Sequence, residues 1–302
     1  MLGYTHPLFV LPFDHKTGLY KMLYGTMDEP TPEQKEEIKR LKRIIFQGFE
    51  RAVELGVPKI HAGILADETY SKEILKEAKA KGYIAAVNTE KSGQKELEFE
   101  FGEQWKEHID TLDLPIVKVL VRYNPGEEAE MNKRQLQKLE QLSSYARHAG
   151  RKFMIEPLIP PTDEQLTSVG GDKHRYDTEL RPGLTVEMIR SMQNAGVEAD
   201  IWKIEGLNKR EEYEAVVTQA CLPVESRGEV GVIVLGRGES KEKVFEWIDA
   251  AKGISSNIIG FAVGRTAWKD AVLAYRGGKK TEAEAATEIG QNFFDLYKFF
   301  IS

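Results

Sequence analysis

The chain has 302 residues, of which 41% are hydrophobic and 30% charged, with 26 glycines and 12 prolines. This composition excludes collagen-like, low-complexity and disordered proteins, and the length suits one large domain or two small ones. A net charge of −6 without a polybasic block argues against nucleic-acid or membrane partners, so we expect small ligands. A lone cysteine, Cys221, and the lack of a recognisable signal peptide or membrane span predict a cytoplasmic protein.

Short apolar, β-branched runs recur along the chain, each followed by a charged segment with helical spacing that ends near a glycine. In the first such segment, Ile38, Leu41 and Ile45 share one helical face, and Gly56 is placed to end the helix. The runs do not alternate between polar and apolar residues, which is typical of a parallel sheet covered on both faces. The eight predicted strands are Leu8–Phe13, Lys59–Leu65, Tyr83–Asn88, Ile116–Val121, Lys152–Leu158, Asp200–Ile204, Gly231–Leu235 and Ile258–Val263.

Eight strand-helix units favour an α/β fold of the (β/α)8 TIM-barrel type, with a single domain over residues 1–302. A doubly wound sheet would have five or six strands and a G-x-G-x-x-G turn after the first, and this motif is missing. Two stretches, Thr17–Gln34 and Pro160–Gly183, are predicted to be long loops on the active face. The spacing of Ile289, Phe293 and Phe300 predicts a terminal amphipathic helix that caps the barrel or packs in a homo-oligomer.

Charged residues gather where the predicted strands end, and barrel enzymes build their active sites at that end. Lys118 and Lys203 each interrupt an apolar strand, and burial beside a second cation lowers the pKa of an amine. Such an amine attacks a ketone to form a Schiff base, which accepts electrons when the neighbouring carbon–carbon bond breaks. A salt-bridged or solvent-reaching lysine is the simpler interpretation of either residue alone, whereas Glu156 and Asp14 on other strands favour the catalytic one.

Two glycine-arginine pairs follow the last two predicted strands. In many barrels a phosphate lies between these loops, held by backbone N–H groups and a helix N-terminus. Gly236-Arg237 and Gly264-Arg265 occupy the two positions, and arginine binds phosphate through two parallel hydrogen bonds. Lys16, Lys91 and Arg122 add positive charge that suits the carboxylate of a sugar acid.

Other polar residues carry weaker signals. His15, His61 and His174 lack the spacing of a metal site, so neither a metal nor another cofactor is predicted. Asp200 and Glu205 flank the strand of Lys203, where a role in holding the barrel rim is the simpler interpretation.

Six short motifs, in this order along the chain, resemble those of the Schiff-base aldolases of the tagatose-bisphosphate aldolase group. The resemblance covers Pro7 to Tyr297 and is closest to a branch of barrels of unknown function. That branch is similar to the aldolase-like domain fused behind the inositol-pathway kinase that phosphorylates 5-dehydro-2-deoxygluconate. The motifs are Leu11-Pro12-Phe13-Asp14-His15-Lys16, Glu90-Lys91-Ser92-Gly93-Gln94, Val117-Lys118-Val119-Leu120, Ile155-Glu156, Asp200-Ile201-Trp202-Lys203-Ile204-Glu205 and Gly264-Arg265-Thr266.

The resemblance implies that Lys203 forms the Schiff base and that Glu156 moves protons as general acid and base. Lys118 and Asp14 would tune the nucleophile and hold the carbinolamine, with Arg265 and the Gly236-Arg237 turn on a phosphate. The full set of predicted substrate-binding residues is Lys16, Glu90, Lys91, Arg122, Gly236, Arg237, Gly264 and Arg265.

The reaction implied is cleavage of a phosphorylated keto-sugar or keto-sugar acid. The leading substrate is 2-deoxy-5-keto-gluconate 6-phosphate, which would give dihydroxyacetone phosphate and malonate semialdehyde. A hexulose bisphosphate or a sulfonated sugar phosphate would need the same core residues. The tagatose enzymes have Asp-Gln-Arg where this chain has Asp14-His15-Lys16, and a more apolar run in place of Ile204-Glu205-Gly206, which indicates a different second half of the substrate. Two other classes stay open: a barrel that senses sugar phosphates without turnover, and a divalent-metal aldolase or isomerase.

Overall fold

Eight short parallel strands pair side by side in chain order and close into a barrel in the computed structural model, which describes residues 2–302. The closing pair joins the first strand to the eighth. Because helices cover the outside and side chains fill the inside, each strand is apolar along most of its length. The predicted fold is therefore confirmed. The strands are β1 (Leu8–Pro12), β2 (Ala62–Ala66), β3 (Ile84–Asn88), β4 (Ile116–Arg122), β5 (Lys152–Leu158), β6 (Ile201–Glu205), β7 (Gly231–Leu235) and β8 (Ile258–Ala262).

Helices surround the barrel and connect successive strands. The longest begins with a capping box, in which the Thr31 side chain accepts from the Gln34 N–H and the Gln34 side chain accepts from the Thr31 N–H. It ends at Gly56, as the sequence predicts. The helices are α1 (Thr17–Tyr24), α2 (Pro32–Leu55), α3 (Glu68–Ala80), α4 (Trp105–Leu112), α5 (Ala129–His148), α6 (Asp163–Ser168), α7 (Lys173–Arg175), α8 (Arg181–Asn194), α9 (Arg210–Ala220), α10 (Val224–Arg227), α11 (Lys241–Ala251), α12 (Arg265–Arg276) and α13 (Glu282–Ile301), with a π-helical turn at Tyr176–Leu180.

Three sequence-based assignments differ from the structure. The strand predicted from Lys59 starts only at Ala62, because Lys59–His61 forms a 3-10 turn. The long loop predicted over Thr17–Gln34 is wrong, since it contains α1 and the start of α2. The prediction of a loop over Pro160–Gly183 is wrong for the same reason, because short helices fill most of it. Helices of one or two turns carry too few residues for a periodic pattern to outweigh the Gly and Pro at their ends.

The barrel is closed at β8 and β1 by close packing around a glycine. Gly260 has φ +155°, and a Cβ atom there would overlap the carbonyl oxygen of Leu8, so only glycine allows this approach. Helix α13, predicted from its apolar spacing, covers the same side of the barrel, with Phe293 against Phe261 of β8 and Tyr297 against Phe9 of β1. Within the described part of the chain, no helix is both long enough and apolar enough to cross a bilayer.

Inward-facing positions change from apolar to charged toward the C-terminal end of the strands. Because side chains alternate along a strand, Ile116 and Lys118 face the same side of β4, as do Ile201 and Lys203 of β6. The first member of each pair belongs to an apolar cluster that fills the opposite half of the barrel. That cluster comprises Leu8, Val10, Leu65, Ala86, Ile116, Met154, Ile201, Ile233, Ile259 and Ala262.

A buried ion pair joins α2 to the turn that follows β2. Lys42 on α2 pairs with Asp67, and both side chains are about 1% exposed. Asp67 also accepts from the N–H of Tyr70 at 2.8 Å and so caps α3. The Lys42 ammonium donates a further hydrogen bond to the carbonyl of His15, at 3.1 Å.

Replacing Lys42 by methionine should lower the free energy of unfolding by about 3 to 5 kcal/mol, because the carboxylate of Asp67 would stay buried without its partner. Urea denaturation measures this loss. The matched control is Lys76→Met, which removes an exposed pair with Glu73 and should cost less than about 0.5 kcal/mol. Equal losses in the two variants would contradict the prediction.

Candidate active site

A cleft of about 1170 Å³ opens at the C-terminal end of the barrel. The structure brings every site residue predicted from the sequence to this cleft, apart from Lys118, which lies beneath it with a fully buried side chain. The predicted residues that line the cleft are Asp14, Lys16, Glu90, Lys91, Arg122, Glu156, Lys203, Gly236, Arg237, Gly264 and Arg265.

Lys118 forms the centre of a buried ion-pair cluster. Its Nζ lies 2.9 Å from Asp14 Oδ2, 2.8 Å from Glu90 Oε1 and 2.8 Å from Glu156 Oε2. An ammonium has three N–H donors, so each carboxyl group can take one. Burial opposes the charge, but Asp14, Glu156 and Glu90 together raise the pKa of Lys118 well above its ordinary value. The expected lowering of the pKa is therefore wrong for Lys118, which remains cationic and has no lone pair for nucleophilic attack.

Lys203 has a different environment. Its Nζ lies 2.8 Å from Glu156 Oε2, and among the described residues no other carboxylate is within ion-pair distance of it. The Lys203 side chain is 2% exposed and lines the cleft. One carboxylate oxygen thus contacts both lysines, although only Lys118 has further carboxyl partners.

Glu156 is held in its charged form between the two amines. Burial alone would raise its carboxyl pKa, but Lys118 and then Lys203 lower that pKa below the ordinary value. A carboxylate 2.8 Å from the Lys203 amine is within reach of the proton that this amine must lose before it can act as a nucleophile.

The pKa values of the other two carboxyl groups around Lys118 are shifted in opposite directions. Burial raises the pKa of Asp14, but attraction by Lys118 and Lys203 outweighs it, so this pKa lies well below the usual range. Burial raises the pKa of Glu90, and attraction by Lys118 does not fully offset it. The Oε2 atom of Glu90 is buried and has no hydrogen-bond partner among the described residues. Glu90 therefore offers the cleft a buried carboxyl oxygen that no described residue satisfies.

The two glycine-arginine turns meet at one side of the cleft. Arg265 begins α12 and donates to the carbonyl of Arg237 at 2.6 Å. Burial lowers the pKa of Arg265, and no carboxylate in residues 2–302 lies within ion-pair distance of its guanidinium. The first N–H groups of a helix have no intrahelical acceptor, so the start of α12 beside Gly264 is suited to an anion.

Arg237 is already paired with carboxylates. Its Nε lies 3.1 Å from Glu205 Oε1, and its Nη1 lies 3.1 Å from Asp177 Oδ2. Its backbone adopts the left-handed region with φ +53°, which is uncommon for a residue other than glycine. Asp177 lies in the π-helical turn and was not among the predicted site residues. Since 60 positions separate it from Arg237, no local sequence pattern pointed to this pair.

The cations predicted to bind a carboxylate line another part of the cleft. The Nζ of Lys16 lies 2.6 Å from Glu100 Oε1, so its charge is balanced within the protein. Arg122 donates to the carbonyl of Gln94 at 2.9 Å, and Lys91 is exposed.

His15, named from the sequence both as a possible metal ligand and within the Asp14-His15-Lys16 motif, lines the cleft. Its Nδ1 lies 3.9 Å from Asp14 Oδ1, and its ring meets Trp268 edge to face at 5.7 Å. The pKa of His15 is lowered to about 4, chiefly by burial and also by Arg265 and Lys203, which together outweigh the opposite effect of Asp14 and Glu156, so the ring is neutral at pH 7. The sequence signal for a role here was its place between Asp14 and Lys16 at a strand end.

The remaining weak candidates lie outside the cleft or play a structural role. Asp200 accepts from the N–H groups of Gly3 and Phe153 at the opposite end of the barrel. His61 lies in the turn before β2, at that same end, and His174 is exposed on α7. Within residues 2–302, no group of three or more His, Cys, Asp and Glu side chains is arranged to hold a metal ion.

Comparison with known proteins gives one family and a set of similar folds. The model of the family described as "Uncharacterized protein conserved in bacteria (DUF2090)" matches residues 4–301. No curated protein sequence matches the chain. The fructose-bisphosphate aldolase of Plasmodium falciparum is 13% identical with a TM-score of 0.66, over 98% of this chain and 90% of that chain. The fructose-bisphosphate aldolase of Slackia heliotrinireducens is 13% identical with a TM-score of 0.53, over 94% of this chain and 86% of that chain. These likenesses show that the chain has the barrel fold of such aldolases.

The lowered pKa of His15 should make the folded protein sensitive to mild acid. The unfolded chain takes up a proton near the ordinary pKa of 6.5, whereas the folded chain does so only near 4. The stability that His15 contributes is therefore complete above pH 6.5 and is lost as the pH falls toward 4. Between about pH 7.5 and pH 4.5, the wild type should lose about 2 to 3 kcal/mol more unfolding free energy than His15→Gln.

Urea denaturation across this pH range, followed by tryptophan fluorescence, provides the comparison. The other titrating groups are common to both proteins, so they cancel in the difference. Parallel pH profiles for the two proteins would show that the imidazole is not held neutral by the fold.

Proposed function

We propose that this chain, which belongs to the DUF2090 family over residues 4–301, is an aldolase that forms a Schiff base on Lys203. The observation that carries the proposal is the buried Lys203 amine, which shares one oxygen of Glu156 with the permanently charged Lys118. The names of the two fructose-bisphosphate aldolases with a similar fold support the same class of reaction.

The number of carboxyl partners distinguishes the nucleophile. Lys118 pairs with three carboxyl groups, whereas Lys203 pairs only with Glu156, so Lys203 is the amine proposed to act as the nucleophile. The neutral Lys203 amine then attacks the ketone carbon of the substrate, and the carbinolamine loses water to form an iminium ion. Lys118 and Asp14 tune the nucleophile and hold the carbinolamine, as the resemblance to the tagatose-bisphosphate aldolase group implies.

Cleavage follows from the iminium ion. Glu156, or a water that it orders, takes the proton from the hydroxyl group on the carbon beyond the bond to be broken. The carbon–carbon bond breaks, its electron pair moves into an enamine, and the hydroxyl carbon leaves as an aldehyde. The enamine takes a proton at carbon, and water then releases the ketone and restores the Lys203 amine. Glu90, whose buried Oε2 has no hydrogen-bond partner among the described residues, lines the cleft and is placed to contact a substrate hydroxyl group during these steps.

The proposed substrate is a phosphorylated keto-sugar acid, with 2-deoxy-5-keto-gluconate 6-phosphate as the leading compound. Its products would be dihydroxyacetone phosphate and malonate semialdehyde, as expected for a cytoplasmic role in inositol breakdown. Arg265 and the start of α12 would bind the phosphate, and Lys91 and Arg122 the carboxylate. A hexulose bisphosphate or a sulfonated sugar phosphate would use the same lysine and phosphate site and differ at the other end.

Reduction with borohydride in the presence of dihydroxyacetone phosphate should attach a three-carbon phosphate to Lys203, because reduction converts an iminium ion into a stable amine. Peptide mass mapping locates the adduct. Lys203→Met should abolish labelling, while Lys76→Met, on the protein surface, should label as the wild type does. If the phosphate compound binds and no lysine is labelled, the aldolase proposal fails and a sugar-phosphate sensor takes its place.

Glu156→Gln should slow proton transfer by about 10² to 10⁴-fold, because the amide keeps the shape of the side chain but cannot accept a proton. Exchange of the carbon-bound hydrogens of dihydroxyacetone phosphate with deuterated water, followed by NMR, measures this step without requiring the full substrate. The control is Glu98→Gln, which alters an exposed pair with Lys138 outside the cleft. Exchange at the wild-type rate in Glu156→Gln would assign the proton transfer to another group.

A further inference from the structure

His15 lines the cleft, and both its backbone and its ring contact neighbouring residues. Its carbonyl accepts a hydrogen bond from the buried Lys42 at 3.1 Å. Its ring packs edge to face on Trp268, whose indole N–H in turn donates to the carbonyl of Pro12 at 3.0 Å. Both the backbone and the ring of His15 are thus fixed by contacts unrelated to hydrogen bonding by the imidazole.

The hydrogen-bonding capacity of this imidazole is unused within the protein. The Nδ1 atom is buried and has no hydrogen-bond partner among residues 2–302, and Asp14 at 3.9 Å is too distant to serve. The side chain is 27% exposed, and His15 lines the cleft. A buried ring nitrogen without a partner is costly, so a ligand that completes its hydrogen bonds would be favoured.

Four charged groups raise or lower the pKa of the imidazole, and each belongs to a different part of the barrel. They are Asp14 after β1, Glu156 on β5, Lys203 on β6 and Arg265 at the start of α12. Lys203 is the residue that would hold the ketone carbon, and Arg265 is the cation without a carboxylate partner. The His15 ring contacts Trp268 on α12, the helix that Arg265 begins, and His15, Lys203 and Arg265 all line one cleft, so a phosphate bound at Arg265 would lie near His15.

We propose that His15 binds the phosphate group of the substrate together with Arg265 and takes up a proton when the phosphate binds. The identity of the ligand as a sugar phosphate rests on the proposed function, although the phosphate site itself does not require Schiff-base chemistry. In this arrangement one imidazole nitrogen donates to a phosphate oxygen, and the proton that charges the ring comes from the solvent.

The charge balance explains why the proton arrives with the ligand. In the free protein an imidazolium would add a third cation to Arg265 and Lys203, and the low pKa of His15 reflects burial together with this repulsion. A phosphate dianion reverses the balance, because it attracts the imidazolium and raises the pKa of the ring. Phosphate binding and protonation of His15 are thus linked, and each favours the other.

The test uses inorganic phosphate and protein labelled with ¹⁵N in its six histidines, at neutral pH. The signals of His15 are those missing from the spectrum of His15→Ala. They should report a neutral ring in the free protein and shift to imidazolium values as phosphate is added. His15→Ala should bind phosphate about tenfold more weakly or worse, the loss expected for one hydrogen bond to a charged group.

His61 provides a matched control, because its Nδ1 is also buried without a partner but lies at the opposite end of the barrel. His61→Ala should bind phosphate as the wild type does, and its signals should not move. The proposal is overturned if the wild type binds no phosphate or if the His15 signals stay unchanged at saturation. Weaker binding in His15→Ala without a shift in the wild-type His15 signals would also overturn it, since this would assign His15 a packing role.

The outcome is independent of the proposed reaction. Phosphate-dependent protonation of His15 without labelling of Lys203 by borohydride would retain the phosphate site and reject the aldolase. Labelling of Lys203 with an unresponsive His15 would retain the aldolase and reject the role of His15.

Discussion

Three ion pairs of one buried ammonium hold the candidate site together. Lys118 on β4 joins Asp14 after β1, Glu90 after β3 and Glu156 on β5, so four parts of the barrel rim meet at one nitrogen atom. Three buried carboxyl groups this close would otherwise repel each other, and each would lose hydration. The same contacts distinguish the two lysines, because Lys118 pairs with three carboxyl groups and Lys203 with one.

The sequence predicts candidate site residues best where a charged residue interrupts an otherwise apolar strand. A charged residue within a buried parallel strand is conspicuous, so Lys118, Glu156 and Lys203 were identified without any structure, and the barrel followed from the number of strands. The lowered pKa expected of Lys118 was wrong because a pKa depends on how many opposite charges surround the amine. That number is set by barrel closure, which brings together residues from β1, β3 and β5.

Long-range pairing also explains why the sequence did not predict the ion pairs of Arg237 at the two glycine-arginine turns. Arg237 was expected to be available for an anion, but it contacts Glu205 and Asp177. Asp177 comes from a segment in which the Gly and Pro residues concealed the short helices. Arg237 and Arg265, similar in their sequence context, therefore differ in electrostatic environment. Arg237 is balanced by carboxylates, whereas Arg265 has none within ion-pair distance among the described residues and lies at the positive end of the α12 dipole.

The closing of β8 onto β1 has a consequence for synthesis of the chain on the ribosome. Pairing of Leu8 with Gly260 joins residues separated by most of the sequence, and α13, which packs over this seam, is made later still. Until then β1 has β2 as its only neighbour and exposes an unpaired, apolar edge. The edge of β1 therefore stays open to pairing with other chains until β8 has been synthesised.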